Sequence, residues 1–338
     1  MSHPTLTLSD VKKVIRAMAA EQSVLLLSAP GVGKSDIVRQ AAADANLPCR
    51  SLLGTQIAPE DVSGIPRIVG ERSVFCPPRV LLPEKPEPFC LFLDELPACA
   101  PDVQKAFYSL LLERRLGEHA LPPGTWVVAA GNRSEDRALV RSVSSALINR
   151  VFTIEVRVDT REWLIWAKGH GVRSEILAFI VYVPTALQRA VPREPVPFST
   201  PRAWAALSHT LDLAERAGEL TTGSRRALAF GRLSPQDAAL FCAMAEEGLA
   251  DLRPLEEYFD DPSKLPEGET ARWFVISRLR SVVLKGELPP VTPEKVTAFL
   301  NALPSEFRFA LLVDLVSQWG ELGASPAMFD ALKEVTGL

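Results

Sequence analysis

Residues 23–35 read SVLLLSAPGVGKS, and this stretch decides the fold. Ser23–Ser28 is apolar but too short for a helix, so it reads as a buried strand. Residues 34–46 then place Ile37, Val38, Ala41 and Ala42 on one helical face, with Pro48 beyond the end. A glycine-rich turn between a strand and a helix is a phosphate-binding arrangement. Glycine lets successive backbone N–H groups turn inward around anionic oxygens, and the helix N-terminus adds its dipole. Ala29, Pro30, Gly31, Val32 and Gly33 would wrap a nucleotide's phosphates, Lys34 would reach the β and γ phosphates, and Ser35 would ligate Mg2+. In the usual GxxxxGK[ST] pattern a glycine stands where this chain has Ser28, a residue still small enough for the turn. The plain alternative is a glycine-rich connection with no ligand.

Outward from this stretch, two hydrophobic periods alternate. Residues 9–20 open with Ser9 as an N-cap and carry Val11, Val14, Ile15 and Met18 on one face. Strand-like runs follow at 49–53, 89–93, 125–130 and 151–158, with a helical pattern at 102–115. Apolar strands alternating with amphipathic helices predict an α/β fold, a parallel sheet of five strands covered on both faces. After residue 160 only helical patterns remain: 160–169, 173–182, 201–217 and 234–250, then 268–285, 292–302, 305–319 and 326–335. The expected organisation is an α/β nucleotide-binding domain (1–158), an all-helical lid (159–252) and a helical C-terminal extension (253–338).

The 338 residues are 47% hydrophobic and 23% charged, with a net charge of −4, which fits a globular chain. A protein living mainly on DNA or an anionic membrane would show a basic excess, and this one does not. No apolar run approaches the ~18 residues of a membrane span, and no signal-peptide core follows Met1. Five cysteines form no CxxC pair, so a reducing cytoplasm is the expected setting, with Cys90 a buried thiol. His3, His119, His170 and His209 show no paired ligand spacing. The acidic EYFDD at 257–261 reads as a solvated helix end, and the six tryptophans are scattered as core fillers.

Three further places carry chemistry. CLFLDE (90–95) is a buried strand ending in two carboxylates, at the end of an open α/β sheet where ligands bind. Asp94 would hold Mg2+ and Glu95 would polarise an attacking water; a plain turn before Pro97 is the alternative. TWVVAAGN (125–132) ends a second strand in Asn132, able to bond a γ-phosphate or a water, though Asn also simply terminates strands. Arg202 follows Thr200-Pro201, a helix-start signature, where a cation opposes the helix dipole by about 0.3–1 kcal/mol unless an anion is near. Arg150 closes the helical RSVSSALINR, a position the dipole alone favours.

SAPGVGKS, LFLDE, AAGN, the Asn149-Arg150 pair and TPR at 200–202 together resemble the AAA+ ATPases, specifically the MoxR family, over about residues 7–250. Residues 57–83 resemble that family's helix-2 insert, and 116–130 resemble its hairpin before the sensor-1 strand. The resemblance implies an ATP hydrolase with ATP and Mg2+ bound by Gly31, Gly33, Lys34, Ser35 and Asp94. It implies Glu95 as catalytic glutamate, Asn132 as sensor 1 and Arg202 as sensor 2. Arg150 would be the arginine finger acting on the neighbouring subunit, with Arg141 a second candidate. The implied partners are further copies in a hexameric ring and a client with a von Willebrand factor A domain. Two other classes stand beside this: a nucleic-acid-associated AAA+ loader or restriction-type motor, and a nucleotide-binding scaffold without turnover.

Overall fold

The computed structural model describes residues 4–82, 87–116, 118–133, 145–246, 252–285, 290–304, 307–308 and 311. Of the helix expected at 305–319 only 307, 308 and 311 are described; the helix at 326–335 and Arg141 lie outside the described residues. Contacts divide the chain into two compact units, Met1–Trp166 with Gln188–Ala203, and Ala167–Leu187 with Trp204–Leu338. This differs from the three-part division expected. Gln188–Ala203 belongs with the first unit, and the helices after 253 share a core with Tyr182 of the second.

The first unit is built on a parallel sheet. Its strands are β1 (Thr5–Leu6), β2 (Val24–Leu27), β3 (Cys49–Leu53), β6 (Cys90–Asp94), β9 (Trp126–Gly131) and β10 (Phe152–Val156), ordered β1-β10-β2-β9-β6-β3. Two antiparallel hairpins stand apart, β4 (Ile65–Val69) with β5 (Arg72–Cys76), and β7 (Arg115–Leu116) with β8 (His119–Ala120). The sheet has six strands and not five. Two-residue β1 carries no readable period; it is held by pairing Thr5 and Leu6 with Glu155 and Val156.

The pleat explains why the central strands read as unbroken apolar runs. Val24, Leu26, Cys90, Phe92, Trp126, Val128 and Ala130 face one layer, shared with Val11 and Ile15 of α1 (Leu8–Met18) and Ile37, Val38 and Ala41 of α2 (Lys34–Asp44). Leu25, Leu91, Leu93, Val127 and Ala129 face the other. That layer is completed by Val62 of α3 (Pro59–Ser63), Val103 of α4 (Pro101–Ala106), Leu110 and Leu111 of α5 (Tyr108–Glu113), and Leu147 of α6 (Ser145–Ile148). Both faces are buried, so alternation disappears.

Two local expectations are corrected. Thr7, not Ser9, caps α1: its Oγ1 accepts from the Asp10 N–H at 3.3 Å. The pattern at 102–115 is two helices because the turn tightens at Phe107, whose N–H bonds to Gln104 at 3.2 Å, and Arg114 ends α5 in a left-handed conformation (φ 56°).

In the second unit α8 (Ser174–Tyr182), α10 (Thr222–Phe230), α11 (Pro235–Glu246), α12 (Leu255–Asp260), α13 (Glu269–Lys285) and α14 (Pro293–Ala302) are helical. Helices α7 (Thr160–Gly169) and α9 (Pro201–Arg216) each begin in the first unit and end in the second. Phe179, Trp204 and Phe241 meet with ring centroids 5.1–5.8 Å apart, and the indole N–H of Trp204 donates to the Ala186 carbonyl at 2.7 Å. Tyr258 and Phe259 are buried with Phe299, so EYFDD is not a solvated end; its aromatics anchor α12 and only its acids face water. All five cysteines are free, and Cys90 is buried as expected.

Candidate functional site

The C-terminal ends of the three central strands lie side by side. Leu27 of β2 pairs with Gly131 of β9, and Leu93 of β6 pairs with Ala129 of β9. Three chain segments therefore converge on one edge of the sheet: the glycine-rich turn after β2, Asn132 after β9, and the Asp94–Glu95 pair at the end of β6.

The turn adopts the conformation its glycines permit. Gly31 and Gly33 have φ of 76° and 111°, a region that strains any residue with a Cβ. Gly33 caps α2 without a side-chain hydrogen bond, which leaves first-turn amides for an anion. A Cβ on Gly31 would stand 2.6 Å from Thr200 Oγ1, so the segment before α9 packs directly on the turn. The backbone N–H of Arg202 donates to the Gly31 carbonyl at 3.1 Å, and Thr200 Oγ1 caps α9 by accepting from the Ala203 N–H at 3.0 Å. Arg202 is thereby fixed at the edge of the turn, with an exposed side chain.

Lys34 is buried, and a buried ammonium must find acceptors. Its Nζ donates to Ser28 Oγ at 2.9 Å and to the Ser28 and Ala29 carbonyls and Asn132 Oδ1, each at 3.2 Å. The Lys34–Asn132 contact joins residues expected to share a phosphate. Ser35 Oγ donates to Asp94 Oδ2 at 2.8 Å, so the hydroxyl and the carboxylate expected to share one cation are neighbours. Both are hard oxygen donors, and Mg2+ takes one or two such protein ligands alongside water and phosphate oxygens. The residues present fit that ion. Among the described residues no cluster of three or more His, Cys, Asp or Glu is placed to hold a metal.

Glu95 is a non-glycine residue in the left-handed region, at φ 56° and ψ 30°. This turn swings its exposed carboxylate off the strand line. Its backbone N–H donates to Asp94 Oδ1 at 3.0 Å, and its Oε2 accepts from Thr55 Oγ1 at 3.0 Å. Beneath it the Cys99 thiol lies 3.6 Å from the Glu95 carbonyl; burial pushes that thiol up to about 11, so it stays protonated and donates at neutral pH.

Thr55 and Thr200 are the site residues that motif reading missed. Thr55 lies just past β3, and the register Leu53↔Asp94 carries it to Glu95. Strand pairing supplies that information, and no local pattern does. Thr200 was legible only as a cap.

Arg150 stands apart. Its guanidinium lies over the Tyr108 ring at 4.8 Å, and Nη1 donates to the Ala146 carbonyl at 2.6 Å. Both contacts are to α5 and α6, not to the phosphate turn.

Residues 23–158 match the family model of the AAA domain (dynein-related subfamily). The chain has the AAA+ P-loop fold. No curated protein matches the chain. Among solved structures it is similar to the RuvB Holliday junction branch migration motor of Thermotoga maritima, at 16% identity over 96% of this chain and 86% of that one, with a TM-score of 0.40. It is also similar to NtrX from Brucella abortus, at 13% identity over 100% of this chain and 69% of that one, with a TM-score of 0.42. The matched span runs from β2 through β10 and contains Lys34, Asp94, Glu95, Asn132 and Arg150. Among the described residues no helix is long and apolar enough to cross a membrane.

Proposed function

We propose that this chain is a MoxR-like ATP hydrolase of the cytoplasm, working as a hexameric ring of identical subunits to remodel or activate a partner protein, one bearing a von Willebrand factor A domain. The observation that carries the reading is the convergence of Lys34, Ser35, Asp94 and Asn132 at the C-terminal edge of β2, β6 and β9, with Ser35 and Asp94 2.8 Å apart.

Phosphoryl transfer asks little covalent chemistry of a protein; positioning and electrostatic stabilisation carry it. The turn's amides and Lys34 would hold the phosphates, and Ser35 and Asp94 would hold Mg2+, which when bound neutralises charge on the transferring group. Glu95, held through Thr55, would polarise the attacking water, and Asn132 would orient it against the γ-phosphate. Arg202, fixed to the phosphate turn by its own backbone, would add a cation there. Arg150 would serve the neighbouring subunit's nucleotide, since its own contacts are to Tyr108 and Ala146.

Two experiments test this. Glu95→Gln should bind Mg-ATP as wild type and release phosphate very slowly, whereas Asp94→Asn should also blunt Mg2+ dependence; near-normal release by Glu95→Gln removes the catalytic glutamate. Arg150→Ala should bind ATP yet lose turnover by up to roughly 10³–10⁵-fold. Mixing it with Lys34→Ala, which still offers Arg150, should restore part of the activity. Mixed rings without recovery at any ratio would return Arg150 to a role within its own subunit.

A further inference from the structure

Ser28 occupies the place where the phosphate-turn pattern carries glycine, and it is fully buried. Its Oγ donates to the Ala29 carbonyl at 2.8 Å and accepts from Lys34 Nζ at 2.9 Å, the shortest of the ammonium's four bonds to Ser28, Ala29 and Asn132. Ser28 itself is anchored to the sheet, its N–H donating to the Gly131 carbonyl at 3.3 Å. A glycine could offer Lys34 its carbonyl but not this hydroxyl.

We propose that Ser28 is a latch that holds Lys34 against the strand end and so sets the affinity for nucleoside di- and triphosphates. The proposal rests on the nucleotide reading above. An ammonium has three N–H donors, and the bonds to Ser28, Ala29 and Asn132 already use them, so reaching phosphate oxygens means giving up at least one of these acceptors. A charge-assisted hydrogen bond is stronger than a neutral one, so each acceptor given up on binding subtracts from affinity. The competent, unlatched state is only fractionally populated, and the apparent dissociation constant rises by the reciprocal of that fraction. Ser28 is a positioning residue in this scheme: it acts on phosphate only through Lys34.

The test is the affinity of full-length protein for Mg-ADP and for a non-hydrolysable Mg-ATP analogue, read by calorimetry. Ser28→Ala removes the oxygen and keeps the Cβ; Ser28→Gly removes both. Each should bind both nucleotides roughly three- to tenfold more tightly than wild type, the size expected for one charge-assisted bond partly replaced by the remaining acceptors. Loss of a merely structural hydroxyl would leave binding unchanged or weaken it, so the gain distinguishes the two roles. Nucleotide-free melting of both variants checks the fold, and agreement between them shows that the hydroxyl is responsible. Equal or weaker binding by both variants overturns the latch while leaving the nucleotide reading intact. A wild type that binds neither nucleotide overturns both.

Discussion

The phosphate turn and the β4–β5 hairpin use the same backbone device to opposite ends. Gly31 and Gly33 on one side, and Gly64 and Gly70 on the other, all take positive φ. At the turn the space beside Gly31 is filled: Thr200 stands where its Cβ would go. At the hairpin, Gly64 sits close against the Cys76 carbonyl at the base, while Gly70 reverses the chain into water at the tip. A Cβ on Gly70 would meet nothing within 4 Å, and Ile65 and Ile68 are 69% and 83% exposed. A positive-φ glycine therefore reports a backbone geometry; only burial and neighbours tell whether that geometry grips or displays something. The hairpin is tied to the unit by the His119 ring, whose Nε2 lies 3.0 Å from the Phe75 carbonyl, so two hairpins far apart in sequence meet there.

The contrast can be broken most directly at Gly31. Gly31→Ala meets both a forbidden φ and Thr200, so it should abolish nucleotide protection, which at a hundred times the dissociation constant amounts to about 2.7 kcal/mol. A melting shift with Mg-ATP equal to wild type would show that the turn does not grip phosphate. Lys34→Ala should lose most of the same protection without disturbing the backbone. Next in size, Thr200→Ala removes the α9 cap and should lower stability by about 1 kcal/mol in chemical denaturation. An unchanged midpoint would mean that the α9 start is held by Pro201 and the Arg202–Gly31 bond alone. The smallest effect belongs to the hairpin. Ile68→Ser should change stability by less than about 0.5 kcal/mol and leave basal ATPase intact, while removing stimulation by a partner. An early melt without partner would instead make Ile68 part of the core.

The regions also differ in how far the sequence announced them. The strands at 89–93 and 125–130 were legible because both sheet faces are buried and leave continuous apolar runs, whereas edge strand 49–53, CRSLL, is only half-buried and carries Arg50 and Ser51 within it. Asp94 and Asn132 were legible because they interrupt such runs at the ligand-binding end. Strand β1 was not, since two residues have no period, and α12 was misread because the acids of EYFDD conceal two buried rings. Thr55 was hidden for a different reason: its partner Glu95 lies forty positions away and is reached only through the β3–β6 register. Arg150's expected work is in another subunit, so no distance within one chain can express it.

Glu95 carries a consequence for how this protein would evolve in the laboratory. An L-residue held at φ 56° stores on the order of 1 kcal/mol that glycine would not. The folded chain thus contains a position where the carboxylate proposed to polarise water is also a standing penalty. A library diversified at residue 95 and selected only for survival of heat should enrich glycine and asparagine. Selected for phosphate release, the same library should return glutamate despite its lower melting point.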